Sequence, residues 1–235
     1  MAQWGNTSAS QLLLTCSHDA TVAIWDTKTM RPTKQLPAKG KKDDDQAHTK
    51  AIWSAYWSSN DELIVTASKD KTAKIWDVPN QRRIETLSGH TDAMLHARFN
   101  PADNNQVLTC SMDSTARLWD RRSGTTAMLF DHHKACVWSA IFGADPNRIL
   151  TASHDMTANV YDTRLQLPKN ALGGHTGILW GASLSPDDHW VVTCSEDTTA
   201  RVWNLQTGAR RPPCHILRKG KDGHSDAVTC AAFLR

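Results

Sequence analysis

The reading of the fold turns on TASKDKTAKIWDV, residues 66–78. Two short β-prone runs flank the polar tetrapeptide KDKT, which has the composition of a tight turn. Four other segments align with it without a gap: TCSHDATVAIWDT (15–27), TCSMDSTARLWDR (109–121), TASHDMTANVYDT (151–163) and TCSEDTTARVWNL (193–205). Their turn aspartates, Asp19, Asp70, Asp113, Asp155 and Asp197, are separated by 51, 43, 42 and 42 residues.

A second element precedes each of the last four segments: AHTKAIWSAYW, GHTDAMLHARF, HHKACVWSAIF and GHTGILWGASL. It recurs near the C-terminus as GHSDAVTCAAF. The histidines are His48, His90, His133, His175 and His224. From each of the first four, the turn Asp lies 22 or 23 residues downstream and the Trp or Tyr 28 or 29. In the second repeat AIWSAYW, ELIVTAS, TAKIWDV and RRIETLS read as four antiparallel strands, and no 12-residue helical stretch intervenes. One such sheet cannot bury both of its faces, but a row of them can. The period near 42 with GH and WD marks resembles the WD40 β-propeller family over essentially the whole chain. The expected fold is all-β, built of four-stranded blades. The repeat boundaries fall at 1–47 (partial), 48–89, 90–132, 133–174, 175–223 and 224–235.

Composition narrows the function class without choosing it. The 235 residues carry a net charge of +3, with 27 basic and 24 acidic side chains, which gives little support for a nucleic-acid partner. No run of 18 apolar residues predicts a membrane span, and no basic-then-apolar leader opens the chain. Of the six cysteines, Cys16, Cys110 and Cys194 share one repeat position, which Ala67 and Ala152 fill elsewhere. A position that takes Cys or Ala is a small buried strand site rather than half of a disulfide. Free thiols point to a reducing compartment, hence a cytoplasmic location. No CxxC pair exists, and neither metal nor cofactor is expected.

The recurrent polar residues have the types of a catalytic constellation. The resemblance assigns them instead to a structural hydrogen-bond chain: Asp, His, Thr and Trp in each blade. The sets are His48, Thr66, Asp70 and Trp76; His90, Thr109, Asp113 and Trp119; His133, Thr151, Asp155 and Tyr161; His175, Thr193, Asp197 and Trp203. Thr15, Asp19 and Trp25 belong to the first repeat, which lacks an upstream His. A chain repeated in every blade staples a scaffold, whereas an enzyme needs one active site. The fourth repeat departs twice, with Tyr161 for Trp and His132-His133 for Gly-His, and is expected to be looser.

Binding is expected on the exposed face where the resemblance places the residue five after each motif His and the residue before each turn Asp. The first set is Trp53, Leu95, Trp138, Trp180 and Thr229; the second is His18, Lys69, Met112, His154 and Glu196. Three indoles suit a recognition surface, and they also suit seam packing. Two connections are long: 23 residues from Trp25 to His48 and 21 from Trp203 to His224, against 14 elsewhere. They carry LPAKGKKDDDQAH and RRPPCHILRKGKDG, expected as solvated excursions. No phosphate loop of the GxxxxGK[ST] order is present. The functional expectation is a non-catalytic scaffold that binds a protein or peptide. The alternatives are a regulatory section of a larger signalling protein and an enzyme on a propeller frame. By length, the chain holds four complete blades, strands b, c and d of another, and a last strand a at 227–233. That strand either closes a five-blade ring, with His224 completing the first network, or leaves an incomplete propeller; the abrupt ends favour the latter.

Overall fold

The computed structural model describes residues 2–5, 11–37, 47–165, 168–209, 212, 214–217 and 224–233. Blade 1 consists of β1 (Ala2–Trp4), β2 (Leu12–Cys16), β3 (Val22–Asp26) and β4 (Arg31–Leu36). Blade 2 consists of β5 (Ile52–Trp57), β6 (Leu63–Ser68), β7 (Thr72–Asp77) and β8 (Arg82–Ser88). Blade 3 follows with β9 (Met94–Phe99), β10 (Gln106–Ser111), β11 (Ala116–Asp120) and β12 (Thr125–Phe130). Blade 4 has β13 (Val137–Phe142), β14 (Arg148–Ser153), β15 (Thr157–Asp162) and β16 (Pro168–Gly173). Blade 5 has β17 (Leu179–Leu184), β18 (Trp190–Ser195), β19 (Ala200–Asn204) and β20 (Cys214–Leu217). Each is a separate four-stranded antiparallel sheet in chain order, as WD40-type blades are.

The turn Asp makes the hairpin between the second and third strands. Its Oδ1 accepts the backbone N–H two residues on, as in Thr72 N to Asp70 at 3.0 Å. The intervening residue then sits at positive φ: 67° at Ala20, 71° at Lys71, 69° at Ser114, 68° at Met156 and 64° at Thr198.

The chain forms two compact units. The first comprises residues 1–113 and 117–127, the second 114–116 and 128–235. Within the first, Leu14, Val22, Ile24 and Leu36 of blade 1 pack with Ile52, Ala55, Trp57, Ile64 and Trp76 of blade 2. The opposite face of blade 2, with Val65, Ala67, Ala73 and Ile75, packs with Met94, Ala97, Phe99, Val107 and Trp119. Within the second, Leu150, Ala152, Ala158 and Val160 of blade 4 meet Leu179, Val191 and Trp203 of blade 5. The middle strands of blade 2 are apolar on both faces because each face is covered by a neighbouring sheet.

Two expectations about the ends need correction. The first repeat is not limited to three strands: β1 pairs with β2, Ala2 opposite Thr15 and Trp4 opposite Leu13. Residues 227–233 form no strand. They lie beside blade 5 as the first strand of a following blade would: Val228 packs with Val192, Cys194 and Ala200. Its N–H donates to Ser195 O at 2.9 Å, just as Ile52 N donates to Ser17 O at 3.1 Å in the blade 1–blade 2 seam. The shared Cys/Ala position is fully buried at Cys110, Cys194, Ala67 and Ala152 and half-buried at Cys16, and all six thiols are free. Of the two long connections, residues 38–46, 210–211, 213 and 218–223 lie outside the described residues.

Candidate functional site

The structure brings each repeated polar set together. In blade 2, Trp76 Nε1 donates to Thr66 Oγ1 (3.0 Å), Thr66 Oγ1 meets His48 Nε2 (2.7 Å), and His48 Nδ1 meets Asp70 Oδ2 (2.8 Å). Blade 3 repeats this through Trp119, Thr109, His90 and Asp113 at 2.8, 2.9 and 2.7 Å. Blade 5 does so through Trp203, Thr193, His175 and Asp197 at 2.9, 2.8 and 2.7 Å. An indole only donates, so Thr accepts from it, and the imidazole links that hydroxyl to the carboxylate, with Nδ1–H donating to Asp.

The electrostatics follow from that arrangement. Burial opposes the charge on Asp70, but hydrogen bonds from His48, Thr72 and the Thr49 N–H hold its carboxyl well below the usual range. Asp155 and Asp197 are held low by equivalent bonds. Burial pushes the His48 and His175 imidazoles down, outweighing the attraction of their carboxylates. Both ring nitrogens of each of these four histidines are occupied, and the depressed His48 and His175 rings stay neutral at pH 7. Such a group holds loops together and has no lone pair left to take a proton from a substrate.

The sequence reading missed two members of this network. Ser68 Oγ accepts the Asp70 N–H and donates to Lys50 O, and Thr72 Oγ1 donates to Asp70 Oδ1 at 2.6 Å. The signal was present: the order Ser-x-Asp-x-Thr recurs at Ser17, Ser68, Ser111, Ser153 and Ser195.

Blade 4 solves the same problem differently. His133 contacts Asp155 and Thr151 at 2.9 and 2.8 Å, so the network is no looser there. Tyr161 is buried, and among the described residues its hydroxyl makes no hydrogen bond of ordinary geometry; burial pushes its pKa up to about 12, against a weaker pull from the nearby Asn159 and Thr151. Asn159 Nδ2 approaches His133 Nε2 at 3.3 Å and stands in as a donor. Blade 1 keeps Trp25 Nε1 on Thr15 at 2.8 Å, and Asp19 binds Thr21. His224, the partner that ring closure would supply, is exposed, unlike the four buried motif histidines.

The candidate binding face divides into two groups. In the first unit the His18 ring stands edge-on to Trp53 with centroids 5.3 Å apart. Lys69 and Met112 are exposed. Leu95 must be removed from the face, because it is 3% exposed and packed inside the blade. In the second unit Trp138 stacks on His154 (5.1 Å, 16° between planes), and Trp180 meets both rings edge-on at 5.1 and 5.5 Å. The three rings are half-buried, while Glu196 and Thr229 are exposed. Trp180 also packs against the Val192–Val228 cluster, so it serves the seam as well. Desolvation lowers the His154 pKa against the pull of Glu196, which leaves a neutral ring in the stack.

Among the described residues no group of three or more His, Cys, Asp or Glu side chains is arranged to hold a metal ion, and no helix is long and apolar enough to cross a membrane.

The sequence profile described as "WD domain, G-beta repeat" matches residues 6–26, 43–77, 81–120, 124–162 and 166–204. The chain is 34% identical over 84 residues to Transducin beta-like protein 3 of Rattus norvegicus, covering 33% of this chain and 10% of that protein. It is 33% identical over 84 residues to Myosin heavy chain kinase C of Dictyostelium discoideum (36% of this chain, 9% of that protein). To Nuclear distribution protein PAC1 of Komagataella phaffii it is 27% identical over 142 residues (54% and 27%). The chain thus spans at most about a quarter of the length of these relatives. With its five repeats matched and its five sheets built as such repeats build them, the chain belongs to the WD40 family, the WD domain, G-beta repeat.

Proposed function

We propose that the chain is a non-catalytic scaffold that binds a protein or peptide through two sets of residues: Trp138 and Trp180 with His154, Glu196 and Thr229 in the second unit, and Trp53 with His18, Lys69 and Met112 in the first. The observation that carries this reading is the Trp138–His154–Trp180 cluster: large rings left half-exposed beside an acid, whereas Trp76, Trp119, Tyr161 and Trp203 of the repeated network are buried. Indoles in that state gain most from a partner that finishes their desolvation. The commitment of every buried His–Asp pair to the framework supports a non-catalytic role. A cytoplasmic setting suits the free thiols. The relatives also support a role as a regulatory section of a larger protein, since the stretch matched in one kinase is 9% of its length.

The test is peptide display. Binders selected by the wild-type chain from a random phage-displayed library are titrated against Trp138→Ala/Trp180→Ala and Trp53→Ala, with thermal melting as the folding control. Loss of at least tenfold in affinity, without loss of folding, is the expected result; unchanged affinity in both variants overturns the proposed face.

A further inference from the structure

One polar cluster in the first unit belongs neither to the repeated network nor to the aromatic face. It comprises Tyr56 of β5 with His96 and Arg98 of β9. The register shows that these residues are specific to their blades. Where His96 lies opposite Cys110, the other blades place Ser54, Ser139 or Gly181 opposite the equivalent Ala or Cys. Arg98 lies opposite Leu108, a place held by Ile141 and Ser183 in blades 4 and 5. A framework repeats its chemistry, so residues that break the repeat in one place only are candidates for function.

The geometry presents one cation without a counter-charge. Arg98 Nη2 donates to Tyr56 Oη at 2.7 Å, and its Cζ lies 4.1 Å from the Tyr56 ring centroid. The phenol, having accepted that bond, has its own hydrogen free for His96 Nδ1 at 3.4 Å, which places the imidazole proton on Nε2. Arg98 Nε is buried without an acceptor, and among the described residues no carboxylate pairs with this guanidinium. Desolvation and then the Arg98 charge push His96 down to about 3. The charges and thiols acting on Tyr56 are those of Arg98, Cys110 and Cys16, none of them an acid at pH 7. Arg98 and His96 are nonetheless only half-buried, and as i and i+2 on one strand they share a face of β9. A partly desolvated guanidinium held over a ring is a poor place to leave unpaired and a good place to receive a planar anion.

We propose that Tyr56, His96 and Arg98 form a receiving site for a carboxylate, supplied by an acidic side chain of a bound peptide. Arg98 provides the charge and the fork, Tyr56 fixes the guanidinium plane, and the His96 Nε2–H is a second donor. The proposal stands apart from the aromatic face, because none of its residues belongs to that face.

The experiment is an NMR titration of the full chain, following the Arg98 Nε–H signal and the His96 ring. The probes are sodium acetate, the blocked tripeptide acetyl-Gly-Glu-Gly-amide and its Gln counterpart. The expected result is a saturable shift of Arg98 with the Glu peptide, at least tenfold tighter than with acetate, and no shift with the Gln peptide. Occupancy also raises the His96 pKa by a unit or more, a readout that a purely structural Arg98 would not move. In the variants the His96 ring is the reporter: Arg98→Gln abolishes its response to the Glu peptide, and Arg98→Lys, which keeps a cation beside Tyr56, retains the fold with binding weakened. No saturable shift with either carboxylate overturns the site, and equal affinity for acetate and Glu peptide overturns its assignment to a peptide. Running the titration again in Trp138→Ala/Trp180→Ala separates its failure from that of the aromatic face.

Discussion

Blades 4 and 5 lie in one unit, are built on one repeat and close the same His–Asp contact, yet they reach it with different side chains. In blade 5, Gly174 precedes His175 at φ 148°, and a Cβ added there would lie 2.5 Å from Arg201 Nη1 and 3.8 Å from Trp203 Cη2. At that φ an L side chain is strained, and the Arg201 head would have to move aside to admit one. Blade 3 shows the same constraint, with Trp119 and Arg117 at 3.3 and 3.4 Å from the position a Gly89 Cβ would take. In blade 4 all three residues change together: His132, Asn159 and Tyr161 replace Gly, Arg and Trp. The smaller pair on β15 leaves room for the His132 ring, 5.9 Å from Tyr161, and Phe130 fills in against Tyr161 at 4.6 Å. The difference teaches that the WD mark is one member of a coupled set. A departure at one position is tolerable when its neighbours depart with it.

The strongest way to break this comparison is to remove the polar tip of each aromatic residue. Trp203→Phe deletes the donor to the buried Thr193 and should cost about 1–3 kcal/mol by urea unfolding. Tyr161→Phe deletes a hydroxyl that makes no hydrogen bond of ordinary geometry, so its stability should be unchanged or raised by up to about 1 kcal/mol. Equal losses in the two variants would show that Tyr161 does the indole's work. Next in size is the residue before the histidine. Gly174→Ala meets both a left-handed φ and the Arg201 side chain and should lose about 1–2 kcal/mol. His132→Ala should stay within about 0.5 kcal/mol, the usual range for an exposed position. A double-mutant cycle joining Gly174→Ala to Arg201→Ala sharpens the point, since removing the guanidinium should recover part of the loss.

The smallest effect is on pH dependence. His48 and His175 are depressed by burial, so on acidification the unfolded chain takes up protons near pH 6.5 that the folded one refuses. Stability should fall as pH drops below that value. The carboxylates act further down. Asp70, Asp155 and Asp197 are held low, so their contribution is present above about pH 3.9 and lost as pH falls through their folded values. Urea midpoints at pH 8, 6 and 5 should decline in that order, and a flat profile would contradict neutral buried imidazoles.

Much of this was legible in the chain itself. The Asp spacing and the His-to-Trp interval determined the four-stranded repeat of blades 2 to 5 and the His, Thr and Asp of each of their networks, because a repeat imposes one local geometry wherever its side chains recur. The hairpins were equally local, since a carboxylate closing on the N–H two residues away needs nothing from the rest of the fold. Other features had no local signature. Leu95 shares its motif offset with Trp53 and Trp138, and only the packing of blade 3 shows that it points inward. The strand formed by Ala2–Trp4 is too short to announce itself and exists through its pairing with β2. The coupling of Gly174 to Arg201 joins positions 27 residues apart, and the contact of Tyr56 with Arg98 joins residues 42 apart. Periodicity carries what each blade does to itself. What one blade does to the next depends on side-chain volume and charge meeting across a seam, and only the tertiary structure decides that.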